Sequence, residues 1–488
     1  MTISIDLEEK QVLKNEKEKK HLFKKKEKDP DRIKTPKKIK WGKTTIVAIS
    51  VIILSVLAFG AYKILKISGD IGLKLKAQDI ISKEEDHVLE KDSTGKHTNF
   101  LIVGIDSRDA ESKLLNTDSI IFVSFDYETK DITLISVPRD FYVSLPDEFW
   151  FKKINSFYSY GEGLEEGSGL EMLQTKVEEL VGEEIQYYAM LDLKGFVELI
   201  DALGGVYINV ENSFTDYSYP ADDDLNYQTV SFTAGPQTMD GETALKYSRS
   251  RHSLDNGEGS DFARARRQQK VIEAVKKELF DSGNYTNPQI LLDLLNTVGE
   301  NLTISEFTID DIKAVLNIFN NLDEGEGEMF SFVLDPNAAN GKIITSKNVT
   351  TTNAYAIGPV LGLGQYEDIH DYVNKVLANP SFYEEDASIY VYDTGLGYQN
   401  TYNEFLDLYE KYPYSNIRFM GSLFYDKEGT IIYEHETGLK SATLLEVSKY
   451  LKAENTVKPE YITSNLNGED ITILFGKTVS EEAVETDE

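Results

Sequence analysis

The longest apolar run of the chain is TTIVAISVIILSVLAFGAY, residues 44–62, which holds no charge between Lys43 and Lys63. At about 1.5 Å per residue it matches a hydrocarbon core of ~30 Å. It has neither the polar stripe of a soluble helix nor the small-residue cleavage site of a signal peptide. The pattern predicts an uncleaved transmembrane helix over 44–65. Beyond it the apolar positions fall into shorter runs. NFLIVGID predicts a buried strand, and DSIIFVSFD and DITLISVPRD, joined by YETK, predict a hairpin. LEMLQTKVEELVG has helical spacing, IQYYAMLDL reads as a strand, KGFVELIDALGG as a helix with a glycine stop, and VYINV as a strand. FARARRQQKVIEAVKKELF, NPQILLDLLNTVGENL and TIDDIKAVLNIFNNL predict helices. Strands alternating with helices imply an α/β layered domain over 97–335.

Residues 336–385 are rich in Asn, Gly and Thr and read as an extension or linker. A second α/β unit is predicted over 386–477, with strands ASIYVYDTG, NIRFMG, TIIYEH and DITILFG and helices YNEFLDLYEKY and ATLLEVSKYL. Residues 66–96 read as a polar stalk, 1–43 as a lysine-rich solvated tail and 478–488 as an acidic tail.

Charge sets the orientation. Residues 1–43 hold fifteen Lys and Arg against eight Asp and Glu, whereas the whole chain has a net charge of -32. Lysines crowd the N-terminal side of the apolar span, so that side is expected in the cytoplasm and the rest outside, a single-pass protein of the cell membrane. The basic tail is suited to anionic headgroups of the membrane lipid. The acidic remainder argues against nucleic acid as a partner. The chain has no cysteine, which excludes disulfides, thiolate metal sites and a thiol nucleophile.

The chain holds only nine arginines, and five of them, Arg249, Arg251, Arg264, Arg266 and Arg267, lie within YSRSRHSLDNGEGSDFARARRQQ. Arg108 and Arg139 each follow an apolar strand. Arginine binds phosphate oxygens with a planar fork that lysine lacks, so this partition points to an anion site. Internal pairing with Asp109 and Asp140 is the competing reading for Arg108 and Arg139. If YSRSR is extended, Arg249 and Arg251 share a face. If a helix starts near Ser260, Asp261, Arg264 and Gln268 share another, with Arg267 at its margin and Arg266 pointing away. Asp106 ends the first predicted strand and Asp118 opens the second. Carboxylates beside a phosphate-type site suit Mg²⁺, which takes one or two of them and fills its shell with phosphates and water. For Asp118, a turn or strand-start cap is the competing reading.

GIDSR, TDSI, SVPRD, KIN, LDLKGFVELIDALGGV, MDGETALKYSRSR and DFARARRQQKVI follow one another over about 97–280 in an order that resembles the LytR-CpsA-Psr family. Residues 386–477 more weakly resemble the LytR C-terminal domain of some members. The resemblance implies an α/β/α sandwich with a mixed central sheet and an apolar groove for a lipid chain. It implies a phosphotransferase that moves an anionic glycopolymer (teichoic acid, capsular or similar polysaccharide) from a polyprenyl-pyrophosphate carrier to peptidoglycan, at the C6 hydroxyl of N-acetylmuramic acid. It places Mg²⁺ (or Mn²⁺) on Asp106 and Asp118, and pyrophosphate on Arg139, Arg249, Arg251, Arg264 and Gln268, with Arg108 and Lys153 as further contacts. Asp261 is implied to orient an arginine or to act as base. Many members have histidine after KIN where this chain has Ser156. Two other readings stand beside transfer: a polyprenyl-pyrophosphate hydrolase using water, and a non-enzymatic envelope regulator or scaffold.

Overall fold

A computed structural model describes residues 87–477 except 106–114, 146–149, 222–225, 260–262, 279–300, 306–309, 319–324, 337–342, 349–354, 424–427, 437, 454–466 and isolated positions within the helical stretches around 263–278 and 310–318. The apolar span at 44–65, residues 66–86 of the expected 66–96 stalk and the two tails lie outside the described residues. Among the described residues no helix is long and apolar enough to cross a membrane.

The run NFLIVGI falls in β1 (His97–Ile105), which is buried on both faces. Phe100 and Ile102 enter one core while Leu101, Val103 and Ile105 enter the other. That alternation is the period-two geometry of a strand between two helical layers. β2 (Thr117–Asp126) and β3 (Ile132–Ser136) form the expected antiparallel hairpin, and β2 also pairs antiparallel with β1. β4 (Tyr142–Ser144) and β5 (Phe151–Lys153) make a small hairpin. β6 (Tyr187–Asp192) lies parallel to β1. The main sheet has six strands in the order β11-β6-β1-β2-β3-β12, with β11 at Leu302–Ile304 and β12 at Met329–Val333. β11 is antiparallel to β6 and β12 is parallel to β3, so the sheet is mixed, as expected.

Both faces are covered. On one lie α1 (Phe157–Leu164) and α2 (Gly169–Val181), through Phe157, Leu173, Val177 and Leu180. On the other lie α3 (Leu193–Ala202) and α4 (Gly241–Arg249), through Leu199, Ile200, Ala244 and Tyr247, joined by Val271, Ala274 and Val275. Between α3 and α4 two further antiparallel pairs form. β7 (Val206–Val210) pairs with β10 (Gly235–Met239), and β8 (Phe214–Pro220) pairs with β9 (Tyr227–Phe232).

The stretch read as a linker is in part structural. β13 (Ile344–Asn348) and β14 (Tyr355–Pro359) are paired, and Ile344 and Ile357 are in the second core. α5 (Glu367–Ala378) packs there too, through Ile369, Tyr372, Val373 and Val376. The Asn, Gly and Thr content of 336–355 hid an amphipathic helix whose apolar positions begin only at Ile369.

After α6 (Pro380–Glu385) comes a separate four-stranded sheet in the order β16-β15-β18-β17, formed by β15 (Ser388–Asp393), β16 (Asn416–Ser422), β17 (Thr430–Glu434) and β18 (Ile471–Phe475). α7 (Tyr398–Lys411) and α8 (Ser441–Leu451) share one core with it. The Glu385 carboxylate accepts from the Ala442 and Thr443 amides and caps α8. Its neighbour Glu384 accepts from the Ser331 amide of β12 and so lies where this unit meets the sandwich. Burial raises the Glu384 carboxyl to about 7, helped by the nearby Glu328 and Glu385 carboxylates and opposed by the Ser331 amide. The folded state therefore holds a proton that the unfolded chain releases near pH 4.5, and its stability falls as pH rises from there through about 7. Glu384→Gln is expected to flatten that slope and to raise the melting temperature above pH 7, by roughly 1–2 kcal/mol of stability. Thermal melts across pH 5–8 check this; a slope unchanged in the variant contradicts it.

Candidate functional site

The register of β1 on β2 slips between Gly104 and Ile105. Gly104 faces Ser119, Ile105 faces Thr117, and Asp118 is the extra residue of a bulge. Bulges re-aim a side chain out of the pleat, and Asp118 here lines two adjoining cavities. Gly104 suits the close approach opposite, since a Cβ there would lie 3.2 Å from the Ser119 Cβ. Arg139, just past β3, donates to Asp118 Oδ1 at 2.6 Å. Arg139 lines neither cavity, and its Nε is buried with no hydrogen-bond partner among the described residues. Arg139 therefore pairs with Asp118 and not with the adjacent Asp140, which takes Lys153 at 2.6 Å instead. Lys153 likewise lines neither cavity.

The YSR of YSRSR is helical, not extended. Asp240 caps α4 by accepting from the Thr243 amide, and Gly241 sits against α3, where a Cβ would lie 2.3 Å from the Val197 carbonyl oxygen. The helix runs through Arg249 and ends at Ser250, whose ψ of 137° turns the chain outward. Arg249 and Arg251 still converge, because one ends a helix and the other starts the extended segment after it. With Arg264 they line a cavity of about 430 Å³, together with Asp118, Asp216, Tyr219, Pro220 and His252. Asp216 was not recognisable as a site residue in the sequence. It is fully buried and accepts from the Ser250 hydroxyl and from the Ser218, Arg251 and His252 amides. Burial alone would raise its carboxyl, but these four bonds outweigh it and hold the group below the usual carboxylate range. A single carboxylate on the apolar face of an FTDYSYP strand was its only signal.

The described residues of 263–278 are helical. Arg264 lines the arginine cavity, and Gln268, one turn on, lines its neighbour. Arg267, expected at the margin of that face, is instead 2% exposed, the largest fully buried side chain of the described residues. Arg266 is partly exposed and lines neither cavity, in line with a surface role. Asp106, Arg108 and Asp261 lie outside the described residues.

The second cavity is an open groove of about 940 Å³. Its walls are mostly apolar, with Ile102, Val103, Ile121, Leu191, Phe196 and Leu199 prominent. Asp118 and Arg249 belong to both cavities, so the groove opens directly onto the arginine cavity. Among the described residues no group of three possible metal ligands occurs. Asp118, a half-buried carboxylate shared by the two cavities, suits magnesium of the kind that draws most of its ligands from phosphate and water.

A family model described as the LytR_cpsA_psr family matches residues 66–342, more than half of the chain. The teichoic acid transferase TagU of Enterococcus faecalis is 30% identical over 216 residues, which cover 44% of this chain and 63% of that protein. The TagU of Bacillus licheniformis is 28% identical over 276 residues, 56% of this chain and 81% of that one. Both carry the name polyisoprenyl-teichoic acid–peptidoglycan teichoic acid transferase. The crystal structure of B. subtilis TagV is 22% identical and covers 58% of this chain and 98% of its own, with a TM-score of 0.42. This chain belongs to the LytR-CpsA-Psr family.

Proposed function

We propose that the sandwich domain transfers an anionic glycopolymer from a polyprenyl-pyrophosphate carrier to a peptidoglycan hydroxyl, forming a phosphodiester. The observation that carries this reading is the shared wall of Asp118 and Arg249 between an arginine cavity and an apolar groove. A lipid pyrophosphate is a ligand with those two parts in that order. Its isoprenoid chain fits the groove and its phosphates the arginines. The saccharide then lies beyond the phosphates, towards Tyr219, Pro220 and His252, which line the arginine cavity only. The relatives named as transferases act between the same classes of molecule.

In this reading the acceptor oxygen attacks the phosphorus that bears the glycan. The bond from that phosphorus to the bridging oxygen breaks, and polyprenyl phosphate leaves with the electron pair. Arg249, Arg251 and Arg264 neutralise the charge that grows on the phosphate oxygens, and Arg139 orients the Asp118 carboxylate beside them. Asp118, with Asp106 as the second carboxylate, would hold a magnesium ion, which would supply further charge neutralisation. The proton of the acceptor hydroxyl falls to a carboxylate, for which Asp261 is the candidate. Residues 44–65 anchor the chain in the cell membrane with the N-terminus cytoplasmic, which keeps the site within reach of a carrier whose tail stays in the bilayer.

Full-length protein with lipid-linked glycopolymer and peptidoglycan oligomers is expected to yield a covalent conjugate by mass spectrometry. Free glycan phosphate and polyprenyl phosphate alone would instead identify a hydrolase, and no turnover at all would favour the scaffold reading.

A further inference from the structure

Arg267 faces neither cavity, yet it grips the segment that carries Arg249 and Arg251. Its Nε donates to the Tyr247 carbonyl at 2.9 Å, and one terminal nitrogen donates to the Glu258 carbonyl at 3.0 Å and to the Glu258 carboxylate. The other terminal nitrogen donates to the Ser250 carbonyl. The guanidinium carbon lies 4.6 Å from the centre of the Phe214 ring on β8. The Tyr247 carbonyl belongs to the last turn of α4, where carbonyls lack helical partners and a cation meets the negative end of the helix dipole. Asp216 takes the next three groups of the same segment, the Ser250 hydroxyl and the Arg251 and His252 amides. Tyr247, Ser250, Arg251 and His252 are thus each bonded to one of two buried charges.

We propose that Arg267, with Glu258 as its counter-ion, is a positioning residue. Together with Asp216 it forms a buried clamp that fixes the spacing of Arg249 and Arg251 before any ligand arrives. The physical need is clear. Arg249, Arg251 and Arg264 line one small cavity, and like charges at that range repel. A flexible exit from α4 would let Arg251 swing into solvent, and each arginine would then pay its ordering entropy on binding. A clamp made at folding removes that cost from the binding step. Burying Arg267 is itself costly, since desolvation lowers its pKa against the opposing pull of the Glu258 carboxylate. The sequence signature is the third arginine of ARARRQQ, one position from a partly exposed arginine and chemically indistinguishable from it.

The inference rests on the lipid-pyrophosphate reading for the ligand, but the clamp itself is testable without one. In the full chain, Glu258→Gln and Arg267→Met are compared with wild type by amide hydrogen exchange. Exchange at Ser250, Arg251 and His252 is expected to quicken at least tenfold in both, while the strands of the main sheet keep their protection. Inorganic pyrophosphate, measured by calorimetry, is expected to bind at least tenfold more weakly to either variant, while a short uncharged polyprenol still enters the groove. Unchanged exchange at 250–252 in Glu258→Gln overturns the clamp. Equal loss of pyrophosphate and polyprenol overturns the positioning role and points to general unfolding. Quickened exchange in a protein whose wild type binds no pyrophosphate leaves the clamp standing and removes the substrate reading instead.

Discussion

Arg251→Ala is expected to abolish measurable binding of a polyprenyl pyrophosphate, and Arg249→Ala to do the same, whereas Arg266→Ala binds like wild type. Arg249 and Arg251 both line the arginine cavity; Arg266 lines neither cavity and is partly exposed. A hydrogen bond from a charged donor contributes about 1.5–3 kcal/mol, and a guanidinium on a phosphate makes one or two. The loss is then roughly 2–4 kcal/mol, about 30- to 1,000-fold in affinity. Inorganic pyrophosphate is expected to show the same ranking, because the defect lies at the phosphates. Titration calorimetry on the three variants decides it. Equal effects at all three positions would mean that general positive charge and not cavity geometry binds the anion, and the variants would then also share one salt dependence.

Phe196→Glu is expected to separate the two halves of the site. Phe196 is on α3, lines the groove and is only partly buried, so the change places a carboxylate on the groove wall with little damage to the core. Loss of an aromatic contact costs ~1.5–3 kcal/mol, and an unpaired carboxylate facing an alkyl chain adds a desolvation penalty. Polyprenyl-pyrophosphate affinity is expected to fall roughly 30-fold or more while inorganic pyrophosphate binds unchanged. Binding of both probes by the variant at wild-type strength would show that the groove does not hold the lipid. The complementary test at the phosphate end is Asp118→Asn, which weakens the partner of Arg139 and is expected to lower turnover more than binding.

Much of the layered fold is legible in the sequence because its signals are local. NFLIVGI is apolar at both parities, and only a strand covered on both faces suits that pattern. The YETK turn marks a hairpin by its length and the runs around it. The runs ASIYVYDTG and DITILFG place two strands of the C-terminal sheet in the same way. Where local signals mislead, a nonlocal contact decides. YSRSR looks extended, but the Asp240 cap and the packing of Gly241 against Val197 draw its first residues into α4. The Asn-rich stretch after 336 hides α5, whose helical face is fixed by the second core.

Sequence alone places seven of the nine arginines in one predicted domain and puts two of its aspartates at strand ends. It determined the family, since motif order along the chain is a property of sequence. Where each arginine lies was left to the tertiary fold. Arg267 is buried and bonded to the Tyr247 and Ser250 carbonyls, and its neighbour Arg266 is partly exposed. Asp118 turns to the cavities only because a bulge shifts it by one residue against β1. Asp216 becomes part of the site because β8 carries it beneath a segment more than thirty residues later in the chain. Side-chain type is written locally, but burial and partnership depend on which distant backbone arrives beside it, and in this protein those partnerships separate the arginines that line a cavity from the one that is buried.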